Sequence, residues 1–159
     1  MAASKNYWLM KSEPDVYSID DLKKEKSTYW NGVRNFKARN NMRDMKLGDG
    51  VFFYHSNADP KAIVGIARVC KEAYPDFTQF DKKSNYYDRR ATEEKPYWFM
   101  VDVEFVEKLE TPWSLDMLRE VPELEDMALL KRGQRLSVQS VTPEEWKKIC
   151  ELAKVKAKL

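Results

Sequence analysis

The chain alternates between short apolar runs and polar turns, the pattern of a sheet whose strands are joined by tight loops. Five runs rich in aromatic and β-branched residues are predicted as strands: 7–10, 51–56, 62–69, 98–106 and 135–141. The last of these alternates strictly between apolar and polar positions, as a half-buried strand does. Gly65 interrupts the third run. An internal glycine of this kind marks a bulge or a close approach of two backbones.

Helix-start signals lie between these runs. Ser18 followed by Asp21 resembles a capping box, which predicts a short helix through Leu22. The segment 142–145 combines a threonine cap, a proline at the first helical position and two acids in the first turn, so a final helix is predicted there. Further helical segments are predicted over 35–45, 114–118 and 127–130. Five or six strands flanked by short helices make an α+β domain, with a curled sheet or a small barrel as its architecture.

The composition places the chain among globular proteins. Its 159 residues suit one domain, 1–159, because a chain of this length buries about two-thirds of its unfolded surface. No apolar run approaches the length of a membrane span, and the N-terminus lacks the pattern of a signal peptide, so no membrane partner is expected. Cys70 and Cys150 lie far apart in apolar settings, as reduced thiols of an intracellular protein do. A bacterial cytoplasm is the expected location, or the nucleus if the chain is eukaryotic.

Charge is unevenly distributed although the net charge is only +2. Between Arg34 and Lys46 five cations face the single acid Asp44, whereas eight acids face two cations over 104–126. This asymmetry indicates one face that attracts phosphates and one that repels nucleic acid. A protein that coats long duplexes is usually more basic overall, so local contact with nucleic acid fits better.

The segment 29–43 carries the most informative chemistry. Trp30 precedes a glycine turn and offers a ring face on which a planar group can stack, and Arg34 and Asn35 offer directional hydrogen bonds. Lys37, Arg39 and Arg43 add positive charge. Stacking, directional bonds and charge are what an unpaired base and its phosphate require. The competing interpretation is that Trp30 caps the core while the cations cover a solvated helix face.

Several other kinds of site are excluded or disfavoured. The chain has one histidine, His55, and two distant cysteines, so neither a multi-histidine metal site nor a zinc-ligand spacing is present. No glycine-rich phosphate loop or dinucleotide fingerprint appears, and no cofactor is expected. His55 and Ser56 are neighbours on a predicted strand, so their side chains point to opposite faces, which disfavours a direct nucleophile–base pair. The aromatic loop over 74–94 is interpreted either as a cover for a cleft or as a segment pinned to the body of the domain.

Five ordered motifs together resemble the EVE domain family over nearly the whole chain, from about Tyr7 to Trp146. They are Trp8-Leu9-Met10-Lys11-Ser12-Glu13-Pro14, Trp30-Asn31-Gly32-Val33-Arg34-Asn35, Phe53-Tyr54-His55-Ser56, Ile63-Val64-Gly65-Ile66-Ala67 and Arg135-Leu136-Ser137-Val138-Gln139. The resemblance implies a PUA-like fold, a bent mixed sheet or pseudo-barrel with short helices. Family members often have Asp after the pocket tryptophan, where this chain has Asn31, a mild departure.

The resemblance implies a non-catalytic module that binds a modified base, such as a methylated or hydroxymethylated cytosine, in DNA or RNA. The base must be unpaired or flipped out, because a duplex hides the ring faces. The residues implied as base-binding are Ser12, Trp30, Val33, Arg34, Asn35, Tyr54, His55, Ser56 and Gln139. Those implied as phosphate-binding are Lys37, Arg39 and Arg43. Any effector would be a separate protein.

Two alternatives compete with this prediction. By analogy with the related ASCH domain, the same pocket is interpreted as that of a small amidohydrolase acting on a modified nucleoside, with Lys11, Ser12 and Glu13 as its catalytic groups, since a desolvated lysine can act as a base. The third interpretation is a protein-interaction domain that uses the acidic segment 104–126. It has the least support because no groove or amphipathic partner helix is evident there.

Overall fold

One mixed sheet organises the computed structural model, which describes residues 5–159. Its strands are β1 (Tyr7–Ser12), β2 (Ser27–Tyr29), β3 (Gly50–His55), β4 (Ala62–Pro75), β5 (Phe99–Ser114) and β6 (Val138–Val141). The α-helices are α1 (Ile19–Glu25), α2 (Phe36–Asp44), α3 (Leu115–Arg119) and α4 (Pro143–Leu152). Short 3₁₀ helices occupy Phe77–Phe80, Pro122–Leu124 and Ala128–Leu130. The α+β class predicted from the sequence is confirmed.

The strand order is β2-β5-β4-β3-β1-β6. β1 and β3 are parallel, and the other neighbouring pairs are antiparallel. The parallel pair needs a crossover, which α1, β2 and α2 supply between β1 and β3. Because β2 and β6 lie at opposite edges and do not pair, the sheet stays open rather than closing into a barrel.

Side chains alternate across the sheet and build an apolar core on each face. Trp8, Met10 and Phe53 belong to the cluster that also contains Trp30, on the face covered by α1 and α2. Leu9 and Phe52 belong to the opposite cluster, which includes residues of α3 and α4. The face holding Trp30 is the one on which the candidate site lies.

The predicted helix starts agree with the structure. Ser18 accepts a hydrogen bond from Asp21 N–H while the Asp21 carboxylate accepts one from Ser18 N–H, a complete capping box. Thr142 and Glu145 form the same arrangement before α4. Each box satisfies backbone N–H groups that a helix start otherwise leaves without a partner.

Strand lengths differ from the predicted ones for physical reasons. β4 runs to Pro75 and β5 to Ser114, well beyond the apolar runs 62–69 and 98–106, because the two strands pair with each other through several register shifts and continue to pair beyond the buried core. β2 carries no apolar pattern, and its mostly exposed residues form a strand only by pairing with β5. β6 is shorter than predicted because the chain still turns before it, where Leu136 N–H donates to the Gln134 side chain.

The loop between β4 and β5 is pinned to the body by buried polar groups. Gln79 is fully buried, and its amide donates to the carbonyls of Asp76 and Trp98. Its carbonyl accepts from the N–H groups of Tyr97 and Trp98. The indole N–H of Trp98 donates to Asp88 at 2.9 Å. This network holds the loop in one position although the loop contains no long helix or strand.

Gly65 meets both expectations for its position. The β4–β5 register shifts beside it, and a Cβ built there would clash with the side chain of Ile19 and lie 3.0 Å from the carbonyl oxygen of Glu107. Gly65 therefore lets α1 pack directly on the sheet.

We expect Gly65→Ala to lower the free energy of unfolding by about 1–3 kcal/mol, the usual range for overpacking a core. Urea unfolding measures this change. Ile19→Val removes the nearest clashing atom, so the two substitutions combined should be less destabilising than the sum of their separate effects. Strictly additive effects would show that the contact between Ile19 and Gly65 is not the constraint.

Candidate functional site

A cavity of about 590 Å³ opens where β1 ends, between the loop that leads to α1 and the turn that follows β2. Its lining comes from residues 11–13, 16–17, 25, 28–34, 86 and 137. A volume of this order is typical of small-molecule and cofactor sites. The motif around Ser12 and the motif around Trp30, distant in sequence, are thus brought to one place.

Trp30 forms part of the cavity wall and part of the core. Its ring packs edge-on against Phe53, with centroids 5.5 Å apart and planes at 79°, and only 9% of the residue is exposed. Its backbone N–H donates to Val101 O at 2.8 Å. The interpretation of Trp30 as a core cap therefore agrees with the structure, and the same residue also lines the cavity, where stacking of a base on it stays a prediction. Trp30→Ala would remove core packing as well as a cavity wall, so it is not a clean test of binding.

The turn after Trp30 depends on glycine. Gly32 has φ +85°, and a Cβ there would lie 2.8 Å from the ring of Tyr86. Gly32 N–H donates to the Asp76 carboxylate at 2.8 Å. The turn is held between the Tyr86 ring and the Asp76 carboxylate, and its position sets one side of the cavity.

Arg34 lines the cavity, but its hydrogen-bond donors are engaged within the protein. Nε donates to Tyr86 O, the Nη1 group to Val33 O and Asp76, and the Nη2 group to Thr78 Oγ1 and Tyr86 O. The guanidinium also lies 5.4 Å from the ring centroids of both Tyr86 and Trp98. These five bonds account for all five guanidinium N–H groups. The predicted direct hydrogen bond from Arg34 to a base would therefore require one of these internal hydrogen bonds to be broken.

Asp76 is the residue that sequence analysis missed. It is fully buried and accepts from Gly32 N–H, from Arg34 and from both the N–H and the hydroxyl of Thr78. The Asp-x-Thr spacing signals a local turn. It gives no sign that the same carboxylate reaches back to the turn after β2.

Ser12 and Val33, two of the predicted base-binding residues, both line the cavity. The Ser12 hydroxyl donates to Tyr17 O at 2.5 Å and closes the loop to α1, which leaves its oxygen free to accept. Val33 is 6% exposed and belongs to the core cluster of Trp30.

Five predicted base contacts do not lie along this cavity. Asn35 caps α2 by accepting from Ala38 N–H. His55 Nε2 accepts from Ile19 N–H at 3.1 Å, beneath the start of α1. Gln139 is 2% exposed and donates to Leu136 O. Tyr54 and Ser56 line a different cavity because strand alternation turns them away from the face of Phe53 and His55.

The predicted phosphate contacts all lie on α2 and outside the cavity lining. Arg39 donates to Tyr97 O at 2.7 Å and lies 4.8 Å from the ring centroid of Phe36. Arg43 lies 4.7 Å from the ring centroid of Phe99, and Lys37 is exposed. Two of the three cations therefore already have partners within the protein.

An exposed apolar rim surrounds the mouth of the cavity. Val16, Tyr29 and Tyr86 line it and are 73%, 48% and 42% exposed. Phe77, 50% exposed, packs edge-on against Tyr29. Apolar side chains gathered at a concave site mark a binding surface. Phe77 and Tyr86 belong to the loop 74–94 that the sequence connects with a cleft, whereas the exposure of Val16 and Tyr29 at the mouth has no signature in hydropathy.

The wall formed by α1 and its preceding loop is rich in hydrogen-bond acceptors. The Tyr17 hydroxyl donates a hydrogen bond to Glu25 at 2.8 Å, and burial together with that carboxylate raises the pKa of Tyr17 to about 12.

In residues 5–159 no group of three or more His, Cys, Asp or Glu side chains is arranged to hold a metal ion. No helix in the same range is long and apolar enough to cross a membrane.

We expect Asp76→Ala to lower the free energy of unfolding by about 3–5 kcal/mol, because it leaves the Arg34 guanidinium and several N–H groups without their buried partner. Urea unfolding measures the loss. The matched control is Glu104→Ala, which breaks the more exposed pair with Arg68 and should change stability by about 1 kcal/mol or less. Similar losses in the two variants would show that Asp76 is not the buried anchor described here.

We expect the free energy of unfolding to fall as pH drops from about 7.5 to about 5.5. Burial lowers the pKa of His55, opposed by Asp20 and reinforced by Lys108, so the folded pKa lies below the ordinary 6.5. The contribution of neutral His55 to stability is therefore fully present above the pKa of His55 in the unfolded state. It is lost as the pH falls through the lower pKa of the folded state. Because the ring is only half-buried, the loss should be small.

Urea unfolding at the two pH values tests this, with His55→Gln as the control. His55 is the single histidine, so the variant should lose most of the dependence. An equal pH dependence in the variant would assign the effect to another group.

Three comparisons with known proteins place the chain. Thymocyte nuclear protein 1 of Rattus norvegicus is 45% identical over 166 residues, covering 92% of this chain and 73% of its own length. A crystal structure from Pseudomonas syringae has a TM-score of 0.89 at 46% identity, covering 92% of this chain and 99% of that one. Human THYN1, solved in complex with 5-methylcytosine-containing DNA, has a TM-score of 0.89 at 41% identity, covering 96% and 100%.

The family comparison agrees with the order of the sequence motifs. The model of the EVE domain matches residues 6–152, which includes every strand and helix of the sheet described above. The resemblance inferred from the motifs is confirmed. The chain belongs to the EVE domain family.

Proposed function

We propose that this protein is a non-catalytic module that binds DNA carrying a modified cytosine, with the base flipped into the cavity beside Trp30. The observation that carries the proposal is that cavity, walled by the indole, in a chain similar over nearly its full length to a human protein crystallised with 5-methylcytosine-containing DNA. Occupancy of the cavity by a base requires the nucleotide to leave the stack, at a cost of a few kcal/mol.

Stacking and apolar contact supply the first part of the binding energy. Trp30 and Val33 are among the apolar residues of the lining, and stacking of one base on an aromatic ring contributes about 1–3 kcal/mol. The rim residues Tyr29 and Tyr86 are exposed at the mouth, where the bases next to the flipped one would pass.

Hydrogen bonds supply the recognition of the base edge. Asn31 offers an amide and Glu25 a carboxylate within the lining. Carboxylates are suited to accept from the exocyclic amino group of cytosine. Arg34 and Asp76 contribute indirectly, since they hold the turn that carries Trp30 and Asn31.

The contribution of the modification itself is small. A buried methyl group contributes about 0.8 kcal/mol, which corresponds to about a fourfold preference over unmodified cytosine. A larger preference would require a hydrogen bond that changes with the modification.

The amidohydrolase alternative has one observation in its favour. Burial, with a smaller effect of Lys61, lowers the pKa of Lys11, which lines the cavity next to Ser12 and Glu13. The Ser12 proton is already donated to Tyr17 O, which disfavours Ser12 as a nucleophile. Conversion of a modified nucleoside by this protein, lost in Lys11→Ala, would favour the enzyme.

We expect Ser137→Trp to weaken binding of a labelled single strand containing 5-methylcytosine by about tenfold or more, because the indole fills space that a stacked base needs. Fluorescence anisotropy measures this affinity. The wild-type protein should bind the methylated strand about fourfold tighter than the unmethylated one.

The matched control is Ser140→Trp, an exposed position on β6 that lines neither cavity. It should leave affinity and preference unchanged. Wild-type affinity in Ser137→Trp, or equal affinity of the wild-type protein for the two strands, would contradict the proposal.

A further inference from the structure

A second cavity, of about 240 Å³, lies on the other side of the β1 end and is strongly positive. Five of its lining side chains are cations: Lys11, Lys61, Arg119, Lys131 and Arg132. The other lining residues are all neutral. A concave surface lined by one sign of charge concentrates counter-ions of the opposite sign.

The cations have little internal compensation. Within residues 5–159, Lys11, Lys61, Lys131 and Arg132 form no ion pair, and Arg119 reaches only the exposed Asp116 at 4.0 Å. Some other cations of the protein do form close ion pairs, as Lys148 does with Glu123 at 2.6 Å. Like charges held together without a counter-charge destabilise the fold unless an anion joins them.

The cavity also offers neutral donors and backbone access. Ser56, Asn57 and Gln134 bring side-chain hydroxyl and amide groups to the lining. Gly133 has φ +78° in the turn 131–134, and no atom lies within 4 Å of where its Cβ would be. The backbone of this turn is therefore open to a ligand. Lysine, arginine, hydroxyl and backbone N–H groups are the donors that phosphate oxygens accept from.

Lys11 connects the two cavities, since it lines both. It is half-buried near the ring of Tyr54, 5.9 Å from the ring centroid. Burial, with a smaller effect of the neighbouring Lys61 cation, lowers the pKa of Lys11. Lys11 and Ser12 end β1, so a ligand that enters the first cavity and extends past Lys11 reaches the second.

We propose that the second cavity binds a phosphodiester of the same DNA strand whose modified base occupies the first cavity. This inference rests on the proposed function for the identity of the strand. Under this proposal the main contact with the DNA backbone lies on the surface formed by the end of β3, α3 and the turn 131–134. The sequence had placed that contact on α2. Arg39 and Arg43 on α2 already contact Tyr97 and Phe99. Within residues 5–159, Lys61, Lys131 and Arg132 of the second cavity have no side-chain hydrogen bond, ion pair or aromatic contact of this kind.

The test compares two double variants by the salt dependence of binding to a labelled single strand. Lys61→Gln combined with Lys131→Gln removes two exposed cations of the second cavity. The matched control, Lys95→Gln with Lys147→Gln, removes two exposed lysines that line neither cavity. Urea unfolding checks that both variants remain folded.

We expect the cavity variant, which lacks two cations, to lower the slope of log K against log salt by up to about 1.4, since each lost phosphate contact on a single strand lowers it by about 0.7. Its loss of affinity should be equal for methylated and unmethylated strands, because a phosphate contact carries no base information. The control should keep the wild-type slope. A wild-type slope in the cavity variant would overturn the proposal.

Inorganic phosphate, titrated at constant ionic strength with chloride as reference, separates this site from the base site. NMR shifts of the 131–134 amides that occur in the wild type and not in the cavity variant support an anion site. If these amide shifts occur while the cavity variant keeps the wild-type salt slope for DNA binding, the site binds free phosphate and the assignment to a DNA phosphodiester is wrong. A lost methyl preference with an altered slope would overturn the proposed function but support the phosphate contact.

Discussion

The buried carboxylate of Asp76 is the interaction on which the candidate site depends. It joins the turn after β2 to the loop after β4 by accepting from Gly32 and Arg34 on one side and from Thr78 on the other. A buried charge is tolerated only when paired and hydrogen-bonded, and here both conditions hold. Because the turn carries Trp30 and Asn31, the shape of the cavity follows from this contact.

Trp30 shows how one residue can belong to a core and to a site. Packing against Phe53 fixes the indole plane, so a base that stacks on it meets a surface already in place. Under the proposed function, such a fixed surface would lower the entropic cost of binding the base. The same packing couples binding to stability.

Strand alternation at the end of β3 separates two kinds of chemistry. His55 turns toward α1, while Tyr54 and Ser56 turn toward α3 and the turn 131–134. The sequence motif holds these residues side by side, and only the pleat assigns them to different faces. An aromatic cavity and a cationic cavity can therefore lie close together, joined at Lys11, without sharing their specific contacts.

Local patterns in the sequence determined the α+β class, the capping boxes at Ser18 and Thr142 and the close approach at Gly65, because each depends on spacing over a few residues. The ordered motifs also determined the family and the place of Ser12 and Trp30 in one region. Tertiary structure alone decided that Arg34 donates hydrogen bonds to Asp76 and Thr78, which lie 42 and 44 residues away in the sequence. It also decided which polar residues line a cavity. The lining depends on contacts between loops that are distant in sequence, and the local hydropathy pattern does not encode such contacts.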